Sequence, residues 1–274
     1  MLVLWTGFRA GVQTCRSLVQ AGFTVLGAHP AGADGASRWC PRPLSYTPAH
    51  MDEEAFLTWL AETCRRESVA VVLPVDEDLV RLLAQRRPDL GGALVVGPTA
   101  EQYDALCDKR RLAQTAGTAG VDHPHTITVT ADGPDGPWPA LPSIVKPVIS
   151  HSDMSVARIT MATTDAERAE QVERLVAAGL DALVQERVSG RRWVAHCVRG
   201  PSGLALVPSR IEFDYPRGTG VACVQRTTVP PPGLVDAVSR LLAEVDYRGP
   251  AAGSASPRCA SRRAWPPPPP CRAR

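Results

Sequence analysis

Lysine is scarce in this 274-residue sequence: of its 30 Lys and Arg, two are lysine, Lys109 and Lys146. Lysine places a compact charge on a flexible stem, whereas arginine presents a rigid fork, so a lysine kept among arginines suits a phosphate in a closing cleft. Lys146 ends the run Ser143-Ile144-Val145 and precedes Pro147, a strand terminus that projects its side chain into a crevice. A surface lysine with no ligand is the plainer alternative. The segment Leu183-Val184-Gln185-Glu186-Arg187-Val188-Ser189-Gly190 is an apolar strand ending in polar groups and a glycine turn. Such an end can offer backbone N–H and C=O groups to an adenine edge, though many strands end this way. Gly7-x-x-x-Gly11 follows an apolar strand and could cradle phosphate at a helix N-terminus. The same glycines could serve a tight turn and close helix packing. The full dinucleotide fingerprint is not met, because the next strand ends in His29 where a ribose-binding acid would stand.

Other chemistry is weakly signalled. In Asp76-Glu77-Asp78 one carboxylate is expected to cap the helix that follows. His123 and His125 have no companion ligands nearby, and no metal site is expected there. Eight Cys are scattered without a CxxC pair, which reads as reduced thiols filling a core and excludes a zinc framework. No nucleophile-elbow pattern accompanies the Ser, His and Asp residues.

Alternating strands and helices must position these groups. Residues 2–6 form a short apolar strand, and Val12, Cys15, Leu18 and Val19 then fall on one helix face that Gly22 caps. A strand over Phe23–Leu26 ends at Gly27-Ala28-His29, and residues 30–50 read as loop. Phe56, Trp59, Leu60 and Cys64 mark a second helix, and Val69–Leu73 is an apolar strand buried on both faces. A helix from Asp78 to Arg87 and a strand over Ala93–Val96 follow. This alternation predicts a parallel sheet with crossover helices, closing near residue 97.

The rest is mixed α+β. Thr99 and Gln102 make a capping box for a helix reaching Thr115, and Thr164 with Glu167 caps another through Ala178. Ala131–Pro142 reads as a surface loop. Strands are expected over 143–147 and 182–186, over Trp193–Val198 and Leu204–Val207 about a Gly200-Pro201-Ser202-Gly203 turn, and on either side of Asp214–Gly220. Leu234–Val245 reads as a helix. From Ala251 on, six Pro and five Arg predict a disordered or polyproline tail.

Composition narrows the function classes. Hydrophobic residues make up 44% of the chain, enough for a real core. Residues 1–250 hold 25 basic and 28 acidic groups, so the body gives no electrostatic reason to expect a nucleic-acid partner. No run reaches the roughly 20 apolar residues of a membrane span, and Met1–Gly7 lacks the basic start of a signal peptide. A cytoplasmic location is expected.

In this order the pieces resemble the ATP-grasp superfamily, in particular the carboxylate–amine ligase branch related to the large chain of carbamoyl-phosphate synthase. The resemblance covers about residues 1–250. Cys107-Asp108-Lys109-Arg110-x-Leu112 with Gly120-Val121 is similar to the family's DK…L…G segment. Ile144-Val145-Lys146-Pro147 is similar to its VVKP strand, and Val184-Gln185-Glu186-Arg187-Val188-x-Gly190 to its hinge. The loop from Arg210 to Gly220, followed by Leu241-Leu242…Tyr247-Arg248-Gly249, resembles the branch's late signature.

The resemblance implies an α/β protein: a Rossmann-like pre-ATP-grasp domain over 1–98, then a two-subdomain α+β ATP-grasp domain over 99–250, incomplete at its C-terminus. The small subdomain would cover about 110–186, the large one would start over 187–250, and 251–274 would be a Pro/Arg-rich tail. It implies that Lys109 and Lys146 contact the α- and β-phosphates of ATP. Gln185, Glu186 and Val188 would border the adenine, Val188 through its backbone amide. Arg210 would act on phosphate or on an acyl-phosphate intermediate. The implied reaction joins a small-molecule carboxylate to an amine through that intermediate, with ATP and Mg²⁺.

Three departures accompany it. The stretch Val148–Val156, after the KP lysine, lacks the family's glycines. The acid expected on the ribose falls near Arg192-Trp193-Val194, where none stands. Residues 251–274 hold no Asp, Glu or Asn, so the family's usual Mg²⁺ ligands are absent and no metal ligand is assigned. That abrupt change in composition resembles a shifted reading frame or a truncation, and a homo-oligomer or a completing partner chain is an accompanying expectation. Two alternatives to a ligase are a non-catalytic ATP- or metabolite-binding relative, and an interaction protein whose proline-rich tail binds an aromatic-lined domain.

Overall fold

Leu2, Val3 and Leu4 are fully buried, and the first sheet grows outward from them. The structure, a computed structural model, describes residues 1–33, 37–148, 159–215 and 221–255. The chain opens with β1 (Leu2–Leu4), α1 (Arg9–Gln20), β2 (Leu26–Pro30), β3 (Leu44–Tyr46), α2 (Glu53–Arg66), β4 (Val71–Pro74), α3 (Glu77–Arg86) and β5 (Leu94–Val95). These strands make one sheet in the order β3-β2-β1-β4-β5, every pairing parallel. Successive side chains of a strand point to opposite faces. Leu2 and Leu4 accordingly pack with Phe56 and Leu60 of α2 and Leu79 and Leu83 of α3, while Val3 packs with Cys15 of α1. Each such fully buried side chain stabilises the unit by about 1.5–3 kcal/mol. Gly11 lets α1 lie against the end of β1: a Cβ there would meet the Trp5 carbonyl, with the Thr6 Cα at 2.9 Å.

Several elements differ from the sequence expectation, each for a local reason. β2 starts at Leu26, not Phe23, because β1 sets the register at Leu2↔Leu26. Gly22 and Phe23 are taken up by the exit from α1, donating to the carbonyls of Val19 and Leu18 (both 3.0 Å) with Gly22 at φ +87°. β3 lies inside the expected loop; three residues are too few to show a period, and parallel pairing with β2 and burial of Tyr46 beside Phe56 hold them. The helix expected from Thr99 is two helices, α4 (Ala100–Cys107) and α5 (Lys109–Thr118). The capping box on Thr99 and Gln102 is present. Asp108, extended at ψ 117°, divides the helices and caps the second by accepting from the Arg110 and Arg111 amides.

A second sheet follows, built from β6 (Thr126–Thr130), β7 (Gly133–Pro134), β8 (Ser143–Pro147), β9 (Thr160–Ala162) and β10 (Ala182–Glu186), with α6 (Asp165–Ala177) between β9 and β10. Its order is β7-β6-β10-β8-β9, antiparallel throughout. One face, with Ile127, Val129, Val145, Ala182 and Val184, packs against Val172 and Leu175 of α6. The capping box on Thr164 and Glu167 opens that helix. The expected 131–142 loop includes the short β7, and Arg168 donates to the Pro139 carbonyl at 2.8 Å.

The last elements are β11 (Trp193–Gly200), β12 (Gly203–Tyr215), β13 (Val221–Thr227), α7 (Leu234–Glu244) and β14 (Gly249–Ala255), with sheet order β13-β12-β11-β14. β12 runs well past Val207. Its alternation of Arg210, Glu212 and Asp214 with Ile211 and Phe213 is a strand pattern that charge conceals, and the pairing with β13 shifts register near Phe213. Residues 251–255, expected to begin the unstructured tail, belong to β14; the remainder of that tail, the 149–156 part of the glycine-free stretch and Pro216–Gly220 lie outside the described residues. The chain divides into two units: Met1–Gly120 with Val198–Ala205 and Leu241–Ala251, and Val121–Cys197 with Leu206–Arg240 and the residues from Ala252 on.

Candidate functional site

Antiparallel register decides what meets Lys146. On β8 it stands opposite Leu183 of β10, so Gln185, two residues on, is its diagonal neighbour on the same face. The Lys146 ammonium donates to Gln185 Oε1 at 3.0 Å. Gln185 Nε2 in turn donates to Thr126 Oγ1 at 2.9 Å, and that hydroxyl donates to the Pro124 carbonyl at 2.8 Å. This half-buried polar relay runs across β8, β10 and β6 on the face turned away from α6. Glu186, the next residue, points to the other face and accepts from the His125 amide at 3.3 Å. Val188 follows in the connection to β11, half-buried.

Lys109 belongs to the first unit and Lys146 to the second. Lys109 is the first residue of α5, and its position there follows from the Asp108 cap. Burial pushes its ammonium below the ordinary lysine range, while Glu77, Asp108 and Cys107 act in the opposite sense. Glu77 also accepts from the Tyr103 hydroxyl at 3.5 Å. The Cys107 thiol is pushed up to about 11 by burial and then by Glu77. Asp76, as expected, caps α3 by accepting from the Asp78 and Leu79 amides.

Arg210 sits on β12 opposite Arg226 of β13. Its Nε donates to Glu212 Oε1 at 2.9 Å, and Arg226 Nε lies 3.6 Å from the same oxygen. The Arg210 hydrogen bond holds the Glu212 carboxyl below its ordinary range. At Arg192, where the sequence shows no acid, β12 brings one: Asp214 Oδ2 accepts from Arg192 Nη1 at 3.0 Å. Among the described residues no three His, Cys, Asp or Glu side chains gather in a metal-binding group.

Three groups around the expected residues escaped sequence reasoning, Thr126, Glu212 and Asp214, while Glu77 was named only as a candidate cap and not as a neighbour of Lys109. The i, i+2 spacing of Arg210 and Glu212 was a usable signal once the strand is known. Thr126 and Asp214 carry none, since strand pairing alone brings them to Gln185 and Arg192.

No family model matches the sequence, and no curated protein matches it. Solved structures do. The L-amino acid ligase from Bacillus licheniformis superposes with a TM-score of 0.69 at 13% identity, over 92% of this chain and 62% of that one. The N5-carboxyaminoimidazole ribonucleotide synthetase from Thermus thermophilus gives 0.66 at 18% identity, over 93% and 67%. The D-alanine–D-alanine ligase from Bacillus anthracis, solved with ATP, gives 0.64 at 11%, over 94% and 81%. The chain has the ATP-grasp fold. It spans about three fifths of the length of the Bacillus licheniformis enzyme. Lys146 and Gln185 lie on the two strands that the sequence resemblance matches to the VVKP and hinge segments, and Thr126 lies on a third, β6. No helix among the described residues is long and apolar enough to cross a membrane.

Proposed function

We propose that this chain is an ATP-binding protein of the ATP-grasp ligase class, acting on a small-molecule carboxylate and an amine in the cytoplasm. In this reading residues 1–98 are a Rossmann-like pre-ATP-grasp domain, and the ATP-grasp domain starts at residue 99. The observation that carries it is the Lys146–Gln185–Thr126 relay: it places one ammonium on a sheet face, fixed by hydrogen bonds, on a fold shared with ligases.

An ammonium held on a sheet face suits a phosphate oxygen, so Lys146 would hold one, as a compact charge that neutralises a crowded anion. The sequence resemblance assigns the same role to Lys109. Gln185, Glu186 and Val188 would border the base, Val188 through its backbone amide. ATP supplies, when bound, a phosphoryl group that turns a carboxylate into an acyl phosphate open to an amine. Arg210 would steady negative charge on the reacting groups, after exchanging its hold on Glu212 for the ligand. Among the described residues no three His, Cys, Asp or Glu side chains come together to hold Mg²⁺.

A non-catalytic nucleotide-binding role is the second reading; what favours it is the sequence of residues 251–274, which holds none of the Asp, Glu or Asn that the family resemblance would place there. Titration calorimetry of the intact chain with ATP tests the shared premise, and no binding at millimolar ATP would refute both readings. Given binding, ADP release in a panel of carboxylates and amines with Mg²⁺ separates them. Release that depends on a carboxylate establishes the ligase, and its absence across the panel leaves a binding protein.

A further inference from the structure

Two arginines stand side by side on the last sheet and share one carboxylate oxygen. Arg210 of β12 and Arg226 of the edge strand β13 are directly opposite in the antiparallel register. The β-carbons of such a pair lie about 4.5–5.5 Å apart, and like charges there repel. Glu212 sits where the pairing loses its register between Ile211 and Phe213, an irregularity of the kind that re-aims a side chain. It answers both arginines through a single atom: Oε1 accepts from Arg210 Nε at 2.9 Å and lies 3.6 Å from Arg226 Nε. Its Oε2 has no hydrogen-bond or ion-pair partner among the described residues. Arg192 has a carboxylate of its own in Asp214. Arg226 has only the long contact to Glu212, and its side chain is 73% exposed against 26% for Arg210. An exposed ion pair of this kind contributes little, so giving it up for a ligand costs little.

We propose that Arg226 and Arg210 together bind a substrate that bears two carboxylates, and that Glu212 holds their place until it arrives. Arg210 faces the reacting group in the ligase reading, on which this rests, so Arg226 is left for a second, unreactive carboxylate of the same molecule. Each guanidinium presents a planar fork that can take a carboxylate through two parallel hydrogen bonds. Glu212 fills neither fork in that way, because one oxygen serves both arginines. Two carboxylates offer four oxygens to two forks. The charge count points the same way: Arg191 also acts on Glu212, so three guanidiniums face one carboxylate. A dicarboxylate cancels that surplus, whereas a monocarboxylate leaves part of it. The spacing of a directly opposed pair suits a short diacid, with about two or three methylenes between its carboxyl groups.

The test is titration calorimetry of succinate and glutarate into the intact chain without nucleotide, against propionate and butyrate at matched ionic strength. The dicarboxylates should bind about tenfold tighter or more, the scale of one added charged contact. Arg226→Met should abolish that preference, and Arg226→Lys, which keeps the charge and loses the fork, should retain part of it. Glu212→Gln frees both guanidiniums and should tighten dicarboxylate binding. Equal affinity for the two classes in the unsubstituted chain overturns the proposal, as does a preference that survives Arg226→Met. Weaker dicarboxylate binding in Glu212→Gln also counts against it, since Glu212 would then organise the arginines and not stand in for a ligand. Should Arg226→Met lose its circular dichroism, the unsubstituted chain and Glu212→Gln decide. ATP titrated separately keeps the two readings apart: a dicarboxylate preference without ATP binding refutes the nucleotide site alone, and ATP binding without the preference refutes the dicarboxylate site alone.

Discussion

Lys146 and Gln185 are joined by a 3.0 Å hydrogen bond although 39 residues separate them. The antiparallel pairing of β8 with β10 creates that meeting: residues two apart across a ladder share a face, and a long lysine reaches its diagonal neighbour. Removing Lys146 as Lys146→Ala should weaken ATP binding by about ten- to a hundredfold, since a charged hydrogen bond contributes about 1.5–3 kcal/mol. Titration calorimetry reads it directly; unchanged affinity would dissociate Lys146 from the nucleotide.

Thr126→Val keeps the shape of the side chain and removes the acceptor of Gln185 Nε2. The expected cost is about 1 kcal/mol of stability in urea unfolding, the scale of one hydrogen bond with a half-buried partner left unmatched. The ATP affinity should fall less than in Lys146→Ala, because the ammonium keeps its contact with Gln185.

Asp108 ends one helix and caps the next, which sets Lys109 at the head of α5. Asp108→Ala should cost about 1 kcal/mol, the usual worth of a cap, whereas Asp108→Asn should recover most of it. The pH dependence has a definite sign. Burial alone would raise this carboxyl, but the Arg110 guanidinium and the Arg110 and Arg111 amides outweigh it, so the folded value lies below the unfolded one. The unfolded chain then binds the proton more tightly, and the contribution is complete above the unfolded value and lost as pH falls through the folded one. Asp108→Asn should flatten that acid limb in denaturation curves taken at falling pH.

Gly11→Ala should destabilise the first unit despite alanine's better helix propensity. The new methyl meets backbone at Trp5 and Thr6, which cannot swing aside as a side-chain tip can. Overpacking of this kind costs about 1–3 kcal/mol, against roughly 1 kcal/mol of propensity in favour. Gly22→Ala, where nothing lies near the new atom but φ is +87°, is the comparison: its cost comes from backbone strain instead. Thermal unfolding of both variants separates collision from strain.

Much of the scaffold was legible in the sequence because its signals are local. The capping boxes at Thr99–Gln102 and Thr164–Glu167, the Asp76 cap and the Gly22 stop each depend on residues within one helical turn, and all four are present. The strands at 143–147 and 182–186 announce themselves by apolar runs closed by polar or proline ends. β3, the break at Asp108 and the length of β12 were not legible: three residues show no period, a capping aspartate looks like any helical acid, and alternating charges mask a strand that pairing sustains.

The order of the motifs, the scarcity of lysine and the local stops belong to the sequence, since chain neighbours alone produce them. Tertiary structure alone decided that Lys146 finds Gln185 and Gln185 finds Thr126, that Arg226 comes to Glu212, and that Asp214 pairs with Arg192. Most of these pairs are distant along the chain. Their contacts follow from strand register and sheet order, which are settled by burying one face of every strand at once. No short window of sequence contains that information.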